Sequence, residues 1–173
     1  VNSTIEHYLS GGINKMVLNE YFCPISEKKE IQLTYAILTD SKHKKKQSFE
    51  INEVLNLKIH YKVNNLIPNS YGFITVQNLQ GDIIIESDTF DFSPNILDKL
   101  ILGENIFNIE IPANLFSPGE YIINIAVASH HSEKFILDSV NDLIKFKISD
   151  NLTQRGSNRK SKTSYLLKWN NIS

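Results

Sequence analysis

A single cysteine, Cys23, stands in 173 residues, so no disulfide can form within the chain and its cysteine usage does not point to an oxidising compartment. With only 7 glycines, none spaced as a phosphate-cradling loop or a dinucleotide fingerprint requires, nucleotide chemistry has no seat here and no cofactor is expected. No stretch approaches the ~20 apolar residues of a membrane helix. The formal net charge of −1 removes any general electrostatic reason to bind nucleic acid or an anionic membrane. Val1, Asn2 and Ser3 lack the basic start and apolar run of a signal peptide, and the expectation is an internal fragment of a longer protein.

Apolar residues make up 41% and charged residues 21%, the mixture of one ordinary globular domain with tails. Residues 1–29 read as a linker with one short helical turn, because Ile5, Tyr8 and Leu9 fall at helical spacing before Gly11 and Gly12 break it. From Glu30 the period is two, the mark of strands with one buried face. Ile31, Leu33, Tyr35 and Ile37 alternate with Gln32, Thr34 and Ala36. Leu55, Leu57, Ile59, Tyr61 and Val63 alternate more cleanly with polar neighbours.

Further strands are expected at 71–78, 83–90, 105–111, from Tyr121 to about Ala128, and at 143–148, with a helical turn near 96–100 in a long connection. Seven short strands separated by turns, with no amphipathic helix to cover a parallel sheet, predict an all-β, immunoglobulin-like antiparallel β-sandwich over 30–150. A polar loop from 151 then gives way to Tyr165, Leu166, Leu167 and Trp169. This apolar segment has no place in a solvated tail, and it is expected to dock as a strand on its own sandwich or on a partner's edge.

Catalytic and metal motifs are missing. His130 and His131 are adjacent, so in a strand they face opposite sides and do not serve one metal together, with Glu133 as a weak third donor; no metal is expected. Cys23 has no histidine partner and reads as a small apolar filler. Glu86, Asp88 and Asp91 lie close in sequence, but paired carboxylates work in a cleft and a small sandwich offers shallow faces. The lysines at 42, 44, 45 and 46 with His43 read as a solvated hairpin loop, the alternative being a patch for an anionic glycan or a lipid headgroup.

The order of motifs FEINEVLNLKIHYKV (49–63), YGFITVQNLQGDII (71–84), ESDTF (86–90) and LILGENIFNIEIPANLFSPGEYIINIAV (100–127), with the closing Trp169, resembles one known family. It is the C-terminal carbohydrate-binding domain of the ATPase subunit, Wzt type, of O-antigen polysaccharide ABC exporters. TIEHYLSGG (4–12) looks like the segment that follows the nucleotide-binding domain of such exporters. Asn52 stands where the family usually has glycine, and the lysine loop is unusual for it.

The resemblance implies a non-catalytic domain at the inner face of the bacterial inner membrane that captures a lipid-linked O-polysaccharide for export. ATP hydrolysis would belong to an N-terminal domain outside this sequence. The implied partners are the nucleotide-binding domain, the membrane subunit and a second copy, which exchanges the strand carrying Tyr165, Leu167 and Trp169. Glycan recognition needs hydroxyl-matching groups beside an aromatic face. Tyr71, Phe73, Thr75, Gln77, Asn124 and His130, on the inferred outward positions of two strands, are the expected contacts. Two other readings remain: a pure assembly domain that dimerises the ATPase, and an accessory sugar-binding module of a secreted hydrolase.

Overall fold

The computed structural model describes residues 19–167 and 169. The expected helical turn at Ile5, Tyr8 and Leu9 lies outside them. Among the described residues, nine strands form two facing sheets. They are β1 (Glu20–Phe22), β2 (Ile31–Asp40), β3 (Ser48–Glu50), β4 (Leu55–Val63), β5 (Tyr71–Asn78), β6 (Ile83–Asp88), β7 (Gly103–Ile111), β8 (Gly119–Ala128) and β9 (Ile136–Ser149). One sheet has the order β1-β2-β4-β7 and the other β3-β9-β8-β5-β6. The immunoglobulin-like sandwich is as expected, with one addition to an otherwise antiparallel arrangement: β3 runs parallel to β9. The strands β1 and β3 have three residues each, too short for an alternation to register in the sequence. The first sheet therefore begins at Glu20, inside the stretch read as a linker.

Period-two burial holds along β4, where Leu55, Leu57, Ile59, Tyr61 and Val63 all turn inward. In β2 it breaks. A bulge between Leu33 and Tyr35 adds a residue, so that Ile31 and Leu33 are buried before it and Ala36 and Leu38 after it. Tyr35 and Ile37 consequently leave the core face expected for them. Tyr35 lies on the outer surface, edge-on to His60 at 5.0 Å, and donates its hydroxyl to Glu20 at 2.7 Å. The strand expected at 143–148 starts earlier, as β9 at Ile136, and so includes Asp138. Its nearly buried carboxylate accepts the N–H of Leu33 at the bulge (2.7 Å) and pairs with Lys29, which ties the two sheets together.

The core is richest in aromatic contact at one end. Phe146 packs on Tyr121 (5.6 Å), Phe116 (5.6 Å) and Phe49 (6.4 Å), and the Tyr121 hydroxyl donates back to the Ser117 carbonyl at 2.7 Å. That corner fixes the entry of the chain into β8. Cys23 is half-buried in a polar setting rather than an apolar one: the Gln32 amide donates to its sulfur at 3.1 Å. The lysine loop is a tight hairpin closed by Asp40, whose carboxylate accepts the N–H groups of Lys42 and Lys44, both at 2.9 Å. Lys45 pairs with Glu20 and Lys46 with Glu53, so two of its four lysines are neutralised locally.

Several carboxylates are held below their usual range by hydrogen bonds: Glu20 by Lys45, Asp40 by the Lys44 N–H, Glu50 by the Asn151 N–H and Asp150 by the Thr153 hydroxyl. Each favours the fold above its unfolded-state value, and that contribution disappears as pH falls through the lower folded-state value. Burial pushes the phenols of Tyr35 and Tyr61 up, so their contribution is lost as pH rises beyond about 10, the ordinary tyrosine value. Tm followed by circular dichroism should therefore drop below about pH 4 and again above about pH 10. A Tm that holds steady into strong acid would contradict these assignments.

Candidate functional site

The outer face of the five-stranded sheet carries five of the six residues expected to contact a ligand; the sixth, His130, expected on a strand, lies in the turn after β8, because that strand ends at Ala128. Ile74 and Val76 turn into the core, which sends Tyr71, Phe73, Thr75 and Gln77 to the opposite side of β5. Over these residues the row extends roughly 20 Å. Asn124, directly across from Thr75 on β8, donates its amide to the Thr75 hydroxyl at 3.1 Å and accepts the Asp142 N–H at 2.8 Å. Its orientation is thereby set, with the amide plane shared between β5 and β9.

At one end of the row the aromatic rings gather. Tyr71 stacks on Phe90 at 4.7 Å, His130 lies 6.4 Å from Tyr71 in a near-parallel plane, and Phe135 packs against His130 at 4.7 Å. Phe90 and Phe135 are 52% and 44% exposed, so these two rings, rather than Tyr71, offer the most surface to an incoming ligand. Neither is among the residues expected from the sequence.

Their placement has local causes. Read as a strand, 83–90 would end at Phe90; β6 instead stops at Asp88, where a capping box forms. The Asp88 carboxylate accepts the N–H groups of Phe90 (2.6 Å) and Asp91 (3.1 Å), while that of Asp91 accepts the Asp88 N–H at 3.0 Å. A 3-10 turn, Thr89–Asp91, results, and the Gly72 N–H donates to the Thr89 hydroxyl at 3.2 Å, which brings Phe90 over Tyr71. The Asp-x-x-Asp spacing was the available signal for this turn. On the other side, Ser129 closes the β8–β9 loop: its N–H donates to the Phe135 carbonyl (2.9 Å) and its hydroxyl to that of Pro68 (2.7 Å). His131 bonds instead to Asn69 at 2.8 Å, so the two adjacent histidines serve different partners.

Asp88 and Asp91 therefore act as capping groups. The Ser87 hydroxyl, followed by the Asp88 N–H, holds the Asp91 carboxyl below its usual range.

A second concavity, about 610 Å³, opens between the sheets at the β6 and β7 edges. Its walls are largely the apolar core faces of Ile59, Ile74, Phe107, Ile109 and Ile125 with Leu97 from the covering turn. A wall of that kind offers few hydrogen-bond partners to a hydroxylated ligand, whereas the outer face combines rings with oriented amide and hydroxyl groups.

The tail divides at Ser164. Thr163 bridges to Phe116, and the buried Ser164 hydroxyl donates to that of Ser117 at 3.1 Å. Beyond it Tyr165, Leu167 and Trp169 are 78%, 71% and 94% exposed and form no strand on their own sandwich. Of the two docking places expected for this segment, the chain's own sheets are not used.

Fold and face together define an immunoglobulin-like sandwich with an extended row of rings and oriented polar groups along one sheet. The family model of the Wzt C-terminal domain matches residues 24–161, and the chain belongs to that family, one of non-catalytic domains. Among solved structures, the crystal structure of the C-terminal domain of Wzt is similar over 92% of this chain and 91% of its own, with TM-score 0.70 at 11% identity. A β-glucuronidase from Parabacteroides merdae resembles 69% of this chain with 14% of its own length (TM-score 0.43, 14% identity). The CARDB domain of a Pyrococcus furiosus protein resembles 73% of this chain with 94% of its own (TM-score 0.40, 12% identity). Both likenesses are too low to carry an argument. No curated protein matches the chain.

Proposed function

We propose that this domain is a non-catalytic polysaccharide-binding module of an ABC exporter. It holds the lipid-linked O-antigen or a related cell-surface polysaccharide on the outer face of the β3-β9-β8-β5-β6 sheet. The observation that carries this reading is the continuity of the exposed Phe90–Tyr71–His130–Phe135 cluster with the oriented Thr75–Asn124 pair along one strand. Rings stack on the apolar faces of sugars, while amides and hydroxyls match their hydroxyl groups. A row of roughly 20 Å suits a chain of sugars better than a single one. In the whole protein the domain would work at the inner face of the bacterial inner membrane beside a nucleotide-binding domain and a membrane subunit. Titration by calorimetry with the O-polysaccharide of the source strain and with an unrelated one tests this. Selective saturation by the first supports the reading; a folded domain that binds neither removes it.

A second role is favoured by the exposure of Tyr165, Leu167 and Trp169: a segment that leaves its own sandwich after Ser164 is available to a second copy. Deleting residues 165–173 is then expected to turn a dimer into a monomer in light-scattering measurements, with glycan affinity per domain kept within about two-fold, a change below about 0.5 kcal/mol. Loss of glycan binding on deletion, with the monomer folded, would instead make assembly part of the site.

A further inference from the structure

The polar half of the platform is bordered by carboxylates on both sides. Across β6, Glu86 is the cross-strand partner of Thr75, and Asp88 is the partner of Phe73. Such partners have Cβ atoms about 5 Å apart. Across β9, Asp142 stands next to Asn124, to which its N–H is bonded at 2.8 Å. Glu86 and Asp142 are exposed, and among the described residues none of the three carboxylates belongs to an ion pair. The lysines of this face lie toward its two ends. Lys145 is opposite Ile122 and is paired with Glu120 at 3.0 Å; Lys147 is opposite Glu120. Lys134, beside Phe135, is the cation next to the rings in sequence.

We infer, resting on the proposed glycan reading, that this face is a charge filter: the polysaccharide segment it holds is built of neutral or amino sugars. Sugars carrying carboxylate, phosphate or sulfate are rejected. A ligand anion lying on the Thr75–Asn124 pair would have a like charge on each flank, while the lysines of this face among the described residues stand toward its two ends. Repulsion between partly exposed charges at such range is moderate and salt-dependent. It discriminates without displacing the stacking rings, which bind neutral and anionic sugars alike. The specificity comes from a repulsive element beside an attractive one.

The test uses the intact domain with pullulan and mannan, which keep free primary hydroxyls, and with the source strain's O-polysaccharide, and then with whichever of these binds after its primary hydroxyls are oxidised to uronate. The oxidised polymer is expected to bind at least about ten-fold more weakly at about 10 mM salt, where the Debye length is near 30 Å, and the gap should shrink at high salt. The double variant Glu86→Gln/Asp142→Asn should recover most of the lost affinity for the oxidised polymer and leave that for the neutral one unchanged. Asp88 is kept because it caps the turn under Phe90. An acidic polysaccharide that binds the wild type, or an oxidised polymer that binds as well as its parent, overturns the filter and leaves glycan binding standing. If none of the polymers binds, the glycan reading fails and the inference with it.

Discussion

Replacing Phe90 and Phe135 together by alanine is expected to weaken polysaccharide binding at least about 30-fold, the size of a loss of about 2 kcal/mol at a central aromatic contact. Both rings are roughly half exposed and lie outside the core, so little of their surface stabilises the fold. The loss in stability should stay below about 1 kcal/mol. That separation is what makes the pair informative: a binding defect without a melting defect assigns the rings to the ligand. Tyr71 is a poorer target, since its ring supports Phe90 and His130 and its removal would let the others shift. The double variant binding the source polysaccharide at wild-type affinity would take the aromatic end out of the site.

Phe146→Ala should have the largest effect on stability. The ring is 2% exposed and touches Phe49, Phe116 and Tyr121, so its removal takes away three aromatic neighbours at once. The cavity left in a packed interior costs about 3–5 kcal/mol, which for a chain of this length lowers Tm by roughly 10 °C. Chemical denaturation and differential scanning calorimetry read both quantities. Phe146→Leu, which refills part of the space, should recover more than half of the loss. A loss under about 1 kcal/mol for the alanine variant would mean that this end of the sandwich is not close-packed.

The contrast between these two predictions follows what alternation reveals and what it hides. On β5 and β8 the pattern was legible, because Ile74, Val76, Ile123 and Ile125 sit at strict two-residue spacing, and the outward set Phe73, Thr75, Gln77 and Asn124 follows by subtraction. On β2 the same rule misplaced Tyr35 and Ile37. The bulge depends on a carboxylate, Asp138, more than one hundred residues away in sequence, which no local reading can supply. Phe90 and Phe135 stayed hidden for a related reason. Each is a loop residue brought to Tyr71 by a bond outside the strand ladders, the Gly72 N–H to the Thr89 hydroxyl and the Ser129 N–H to the Phe135 carbonyl, and period-two reasoning does not reach beyond the strand ends. Tyr165, Leu167 and Trp169 were legible as apolar residues in a polar tail, yet a single chain gives them nothing to pack on.

The most direct test of the central claim, that the outer face of the five-stranded sheet holds the glycan, is amide chemical-shift mapping by NMR during titration with the source strain's O-polysaccharide. Shifts confined to β5, β6, β8, the Thr89–Asp91 turn and the loop around His130 are the predicted result. Shifts centred on the β1-β2-β4-β7 sheet, or on the apolar cavity between the β6 and β7 edges, would contradict it.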